Sequence, residues 1–470
     1  MDPVTQPVTL LVGFIAFGEW VLIWRHSSRG PLGWAAPTSL FALGLLLLYI
    51  TPSVYWMFRP WNVTYPPYYD GLPLVLAGAV LLGLPFLLDV FLRRRKRGTH
   101  LARVFQHNEG EFGPRLWLCV IPILAGVAYR IYLFTLGYQS RNVRDVPMLF
   151  GSDSLALLVG NISDYFPVFY FALVALGNRL QRRIGLLSWA LDALLQLMSL
   201  ARFDMLYFVF RSAIFMTLRG WRLSRKQWAI VALFSMFVIA IVGRVPSLAK
   251  DLVSTGEAKY LTPGQVVMVV IDTTRGFLSG ELSGGTSPLL QALDDTFERL
   301  HMARSASAVM MNVPDVIPYE HGKTFLHVLY AWIPRYLWAS KPNIRAVNLL
   351  TTLVMPDDSG LNPTGTIAEL YVNYGFIAVF LGGIGCAYLC RAQERILLRK
   401  GRFLSPTWLC VYPSIGLWYF WADANLSQRL TEGLHVLLLF ALVWLFLGFA
   451  RRRSRRATQM AIETPIALSP

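Results

Sequence analysis

Charge is what this chain has least of. Among 470 residues only 15% are Asp, Glu, Lys or Arg, against roughly 25% in an average soluble domain. Hydrophobic residues make up 55% and the mean hydropathy is +0.48, so an ordinary soluble globular protein is excluded. Cysteine is equally sparse. Cys119, Cys386, Cys390 and Cys410 lie inside apolar stretches, with no CxxC or Cys/His spacing, so neither a disulfide framework nor a zinc site is indicated. A P-loop, a GxGxxG turn and a DxD motif are missing too, which argues against a cytoplasmic nucleotide-dependent catalytic domain. Residues Met1 to Gln6 contain Asp2 and no Lys or Arg. That stretch lacks the charged start of a cleavable signal peptide, and the first apolar run is expected to stay.

What the chain has instead is long apolar runs. Windows of roughly 20 apolar residues mark membrane-spanning helices, and eleven are read here. They fall at about 8–24, 34–58, 71–92, 115–138, 154–177, 184–200, 204–218, 227–243, 367–390, 407–421 and 433–450. The expected fold class is an all-α polytopic membrane protein with about eleven transmembrane helices and a large helical extracytoplasmic loop.

The net charge of +16 would suggest nucleic acid in a soluble protein. Here the cations fall in short clusters between spans: Arg25 and Arg29, Arg93 to Arg97 with Arg103, Arg179 with Arg182 and Arg183, Arg219 to Lys226, Arg391 to Arg402, and Arg451 to Arg456. These are alternate loops. Because cytoplasmic loops carry the excess of Lys and Arg, they fit one orientation, with the N-terminus outside and the C-terminus inside. The basicity is then a topology signal, and no nucleic acid partner is expected. Four regions follow: an N-terminal bundle of about eight helices (1–243), an extracytoplasmic loop subdomain (244–366), about three C-terminal helices (367–450) and a basic cytoplasmic tail (451–470).

The 244–366 segment carries apolar runs and the aromatics Tyr319, Tyr330, Trp332, Tyr336 and Trp338, which a disordered linker lacks. Leu289 to Met311 reads as an amphipathic helix and Phe325 to Trp338 as a helix at the membrane surface. Several cations cluster in it, Arg299, Arg304, Lys323, Arg335, Lys341 and Arg345, and they run against the positive-inside bias. They are either interfacial side chains that snorkel or ligands of an anionic lipid phosphate. Arg202 lies in a tight outer turn. Arg211 falls two turns into the next span, where it must face the bundle interior. Asp204 shares its helical face, so the pair either lines a polar cavity or joins Asp192 in a structural ion network.

Glu369 in Thr366-Ile-Ala-Glu369 has two readings. It closes a capping box on Thr366, or it serves as a general base or sugar-hydroxyl ligand beside Asn373, four residues on. His301, His321, His327, Asp357 and Asp358 are the remaining candidates on the outer side.

Three blocks then stand out: Tyr319-Glu-His-Gly322-Lys-Thr324; Trp332-Ile-Pro-Arg335-Tyr-Leu-Trp338 followed by Lys341-Pro342; and Pro363-Thr-Gly365-Thr-Ile-Ala-Glu369-Leu-Tyr371-Val-Asn373-Tyr-Gly375. The stretch from about Phe297 to Gly383 resembles the oligosaccharide repeat unit polymerases of bacterial surface polysaccharides, the Wzy type. The resemblance implies a GT-C-like glycosyltransferase architecture in the bacterial inner membrane, with undecaprenyl-diphosphate-linked oligosaccharide as substrate, membrane lipids around it, and a chain-length regulator and a flippase as partners. By the same resemblance Glu369, Arg335 and Arg299 are the catalytic candidates, and Lys341 and Arg202 bind substrate; Arg211, Asn373, Gly365 and His321 complete the substrate-binding candidates. Arg202 departs from the family pattern, since the turn reads Ala201-Arg202-Phe203 without the Gly or Ser often seen before that arginine. No cofactor and no metal are expected, because the diphosphate is already a good leaving group and fixed guanidinium groups can take up its charge. An O-antigen ligase, and a flippase or transporter of lipid-linked glycans, are the alternatives.

Overall fold

The computed structural model describes residues 5–30, 32–58, 70–92, 113–135, 167–198, 202–220, 301–331, 364–399, 403–404 and 406–420, with isolated positions between them. Among these the chain is helical apart from a two-residue antiparallel ladder, β1 (Leu398–Arg399) with β2 (Phe403–Leu404). The helices are α1 (Thr5–Ser27), α2 (Pro37–Leu45), α3 (Thr51–Met57), α4 (Leu72–Leu92), α5 (Val120–Thr135) and α6 (Pro167–Leu176). They continue with α7 (Arg179–Met198), α8 (Arg202–Leu218), α9 (Ala303–Met311), α10 (Lys323–Ala331), α11 (Gly365–Leu397) and α12 (Pro406–Phe420). Among the described residues four stretches are long and apolar enough to cross a membrane: Gln6–Ser27, Pro37–Met57, Leu72–Leu92 and Gly365–Leu397. The expected spans at 227–243 and 433–450 lie outside the described residues.

Close contacts fix the relative directions of the helices. Gly13 meets Leu76 and Gly83 meets Glu19, so α1 and α4 run parallel. Gly383 packs on the backbone of Leu82, and Arg391 Nη1 donates to Asp89 Oδ1 at 2.8 Å, so the later part of α11 runs with them. The α2–α3 stretch runs the other way: Ser39 bonds Ser27, while Gly13 faces Val54. Tyr412 O–H donates to the Ala35 carbonyl at 2.6 Å, and Gly416 faces Leu40, which sets α12 parallel to α2. Arg25, Arg391 and Arg395 gather at one end of the bundle.

The 301–317 stretch belongs to the bundle core. Ala303, Ala306, Val309, Met310, Val313 and Ile317 are buried with Trp20, Phe41, Leu76 and Phe86 in one cluster. Small residues make this possible: Ser307 and Met311 crowd Gly71, where any side chain would collide. The entry of this stretch repairs a defect in the α2–α3 helix. Pro52 has no N–H to give the Leu48 carbonyl, a π-turn covers Leu46–Ile50, and Met302 N–H bonds that carbonyl at 3.0 Å. Beside it, Ser53 Oγ bonds the Tyr49 carbonyl and lies 3.3 Å from His301 Nε2. At the end of α3, Tyr55 O–H donates to Asp294 at 2.5 Å and stacks on Phe297. That end is opposite the one carrying Arg25 and Arg391.

A second cluster joins α5, α6, α8 and α12 around Phe171, Phe215 and Tyr412.

Candidate functional site

The expected ninth span over 367–390 is two helical pieces. Tyr374 (φ −153°, ψ 34°) and Gly375 (φ 63°, ψ −151°) break α11, and Leu370 packs directly on Gly382. In a straight helix those two residues would stand about 18 Å apart at 1.5 Å per residue. The 365–373 piece therefore folds back against 376–397. Only glycine adopts the Gly375 conformation readily.

The reversal is held by the Tyr319–Thr324 turn. The break leaves carbonyls of the first piece without helical donors, and Glu320 N–H takes that of Val372 at 3.0 Å. Asn373 does more. Its Oδ1 accepts from Gly322 N–H at 2.6 Å, and its Nδ2 donates to Thr324 Oγ1 at 2.8 Å and to the Glu369 carbonyl at 2.7 Å. Within the turn His321 (φ 47°) and Gly322 (φ 85°) both have left-handed backbones. His321 is exposed, its ring centroid 5.3 Å from that of Tyr374. Two of the motif blocks noted in the sequence thus meet, joined through Asn373.

Glu369 corrects the capping-box reading. The N-cap of α11 is Thr364, which makes no side-chain cap bond, and Thr366 is already inside the helix. Glu369 is completely buried, and its Oε2 accepts from Ser427 N–H at 3.0 Å. The Leu426 N–H and the Thr324 and Ser427 hydroxyls also face this carboxylate. It ties the 365–373 piece to the chain just after α12. Gly365, with φ +77°, opens the piece in a backbone region that side-chain-bearing residues avoid, and it too is buried.

Below the reversal, the angle between the two pieces holds a cleft of about 630 Å³, apolar along most of its length. Leu370, Ile377, Leu381 and Gly385 line it, with Phe325 and Leu426 at its sides and Tyr319, Asn373 and Tyr374 at the reversal.

Of the other expected site residues, Arg211 lies elsewhere among the described ones. Arg211 sits in the second cluster, its guanidinium 5.7 Å over the Tyr207 ring and within electrostatic reach of Asp192. The chief partner of Asp192 is Arg130, at 2.6 Å, supported by Tyr170 O–H at 3.0 Å and Gln196 at 3.2 Å. The Asp204 contribution expected there falls on a side chain outside the described residues. Arg202 is the first residue of α8, and its side chain is likewise outside them; so are Arg299, Arg335, Lys341, Arg345, Asp357 and Asp358 altogether. Arg304 stands in the first turn of α9, and Lys323 opens α10, exposed. His301 is buried against Ser53, and desolvation, with the nearby Arg304 charge, pushes its pKa down to about 3.

One acid went unnoticed in the sequence. Glu19 is buried in α1 with its carboxylate against Gly83, and neither oxygen has a hydrogen-bond partner among the described residues. A single carboxylate in an apolar run gives no periodic signal. Among the described residues no group of three or more His, Cys, Asp or Glu could hold a metal ion. The chain matches no family model, no curated protein and no solved structure.

Proposed function

We propose that this protein is an integral membrane glycosyltransferase that polymerises oligosaccharide repeat units carried on undecaprenyl diphosphate at the outer side of the bacterial inner membrane, within an eleven-span, GT-C-like architecture. The observation that carries the reading is the Asn373 clasp. It joins the Tyr319–Thr324 and Pro363–Gly375 blocks, on which the resemblance rests, at a helix reversal above an apolar cleft. A lipid-linked sugar needs that combination, a polar reacting head next to a place for a long apolar tail.

In the reaction, the acceptor sugar hydroxyl attacks the anomeric carbon of the growing glycan. The bond from that carbon to the diphosphate oxygen breaks, the lipid diphosphate leaves with the electron pair, and the hydroxyl proton passes to a base. Arg299, Arg335 and Lys341 are assigned to the diphosphate, where a guanidinium fork can engage two oxygens together. His321 is the group best placed as base, being exposed at the reversal, while the buried Glu369, occupied by Ser427 N–H, fits a positioning role. A chain-length regulator and a flippase are the partners that such a reaction would have.

The test is reconstitution of the purified protein with lipid-linked repeat unit. A ladder of longer glycans supports polymerisation. Unchanged chain length refutes it and favours transport, and transfer in one step to a lipid A core acceptor favours the ligase reading.

A further inference from the structure

We infer that Tyr374 and His321 form a ledge on which a pyranose ring stacks while an apolar chain attached to that sugar lies in the cleft below. The inference rests on the polymerase reading for the natural ligand and deepens it, since it names where the first sugar of the lipid-linked unit sits.

Two segments of the chain bring unusual backbone to one place. His321 is a non-glycine residue in the left-handed region, and Gly375, next to Tyr374, has φ 63° in the middle of α11. Backbone held in sparsely populated regions persists only where surrounding bonds over-determine it, and it gathers at functional sites. Here those bonds are the three of Asn373 and that of Glu320 to Val372. The result is two neighbouring exposed rings, with Tyr374 53% exposed between the buried Asn373 and Gly375. Tyr319 closes the inner side, its hydroxyl against Gly375.

Depth fits as well. Gly375 is sixteen residues from Arg391, about 24 Å along a helix, so with Arg391 at one edge of a hydrocarbon core of about 30 Å the ledge lies toward the other edge. Tyrosine is at home at that level, with an apolar ring face and a polar tip. A sugar presents the complementary surface, C–H groups on its face and hydroxyls on its rim. Below the ledge, the lack of a side chain at Gly385, which meets open space, lets an apolar chain lie against backbone.

The test uses octyl β-glucoside below its micelle concentration, with the full-length protein in phospholipid nanodiscs and saturation-transfer NMR as readout. Wild type should saturate both the pyranose and the octyl protons. Tyr374→Ala should lose the pyranose signal and weaken binding about two- to twelvefold, the range of an aromatic contact, while Tyr374→Phe keeps both. Gly385→Phe, which fills open space in the cleft, should lose the octyl signal. Wild-type affinity and pyranose saturation in Tyr374→Ala would overturn the ledge. So would octyl phosphocholine, with the same chain and no sugar, binding wild type as tightly as the glucoside. Because no donor or acceptor is present, the assay is independent of polymerisation. A protein that builds no ladder yet shows Tyr374-dependent pyranose saturation retains the ledge and loses the polymerase reading.

Discussion

Leu370 rests on Gly382, twelve residues further along the chain. The contact exists only because the chain reverses at Gly375, and it makes two small residues into one structural device. An alanine at Gly375 has to adopt φ 63° with ψ −151°, at a cost of about 1–3 kcal/mol. Gly382→Val displaces Leu370, and overpacking of this kind costs about 1–3 kcal/mol. Both variants should lower the thermal unfolding midpoint in detergent, whereas Gly385→Ala, which meets open space and gains helix propensity, should not lower it. An unaltered midpoint in Gly375→Ala would mean that the reversal does not form.

Asn373 separates donor from acceptor. Asn373→Asp keeps an oxygen for Gly322 N–H but can no longer donate to Thr324 Oγ1 and the Glu369 carbonyl. Each buried group left unsatisfied costs about 1–3 kcal/mol. Polymerisation in the reconstituted assay should therefore drop in Asp as well as in Ala. Full activity in Asn373→Asp would show the donor bonds to be dispensable.

For Glu369, strut and base make opposite demands. Glutamine retains a carbonyl oxygen to accept from Ser427 N–H, so Glu369→Gln should fold, insert and polymerise near the wild-type rate, while Glu369→Ala should fall in yield. A well-folded Gln variant slower by roughly 10² to 10⁴ would identify Glu369 as the base.

His301 gives the fold an acid limit. Its pKa of about 3 in the folded protein lies below the ordinary 6.5, so the unfolded chain takes up a proton between those values that the folded chain refuses. Stability from this group is complete above about pH 6.5. It falls as pH drops toward 3, by up to about 1.4 kcal/mol per pH unit. Unfolding midpoints measured from pH 7 to pH 5 should decline more steeply in wild type than in His301→Gln; equal slopes would refute the assignment.

Spans such as 8–24 and 71–92 are legible in the sequence because a run of apolar residues is a local property, and α1 and α4 cover them. The reversal is not. In Asn373-Tyr374-Gly375 the glycine sits within an apolar run that reads as continuous helix, and only the distant Tyr319–Thr324 turn supplies partners for the freed carbonyl. The same limit applies to Asp192. Helical periodicity pointed to Asp204 and Arg211, whereas the guanidinium that pairs with it comes from Arg130 on α5. Thr366-Ile-Ala-Glu369 has the letters of a capping box, but the helix begins two residues earlier than that motif requires.

The repair of the α2–α3 helix has a consequence for biogenesis. Ser53 and His301 are separated by 248 residues, which a ribosome adding about 5–20 residues per second takes about ten to fifty seconds to cover. Through that interval the α2–α3 helix is already synthesised, with the Leu48 carbonyl awaiting its donor at Met302. Insertion and closure of this bundle are thus separate events, and the nascent chain passes through a half-assembled state. That state is the natural substrate for membrane chaperones and quality-control proteases, so substitutions near Pro52 and Met302 should show first as reduced yield and only afterwards as lost activity.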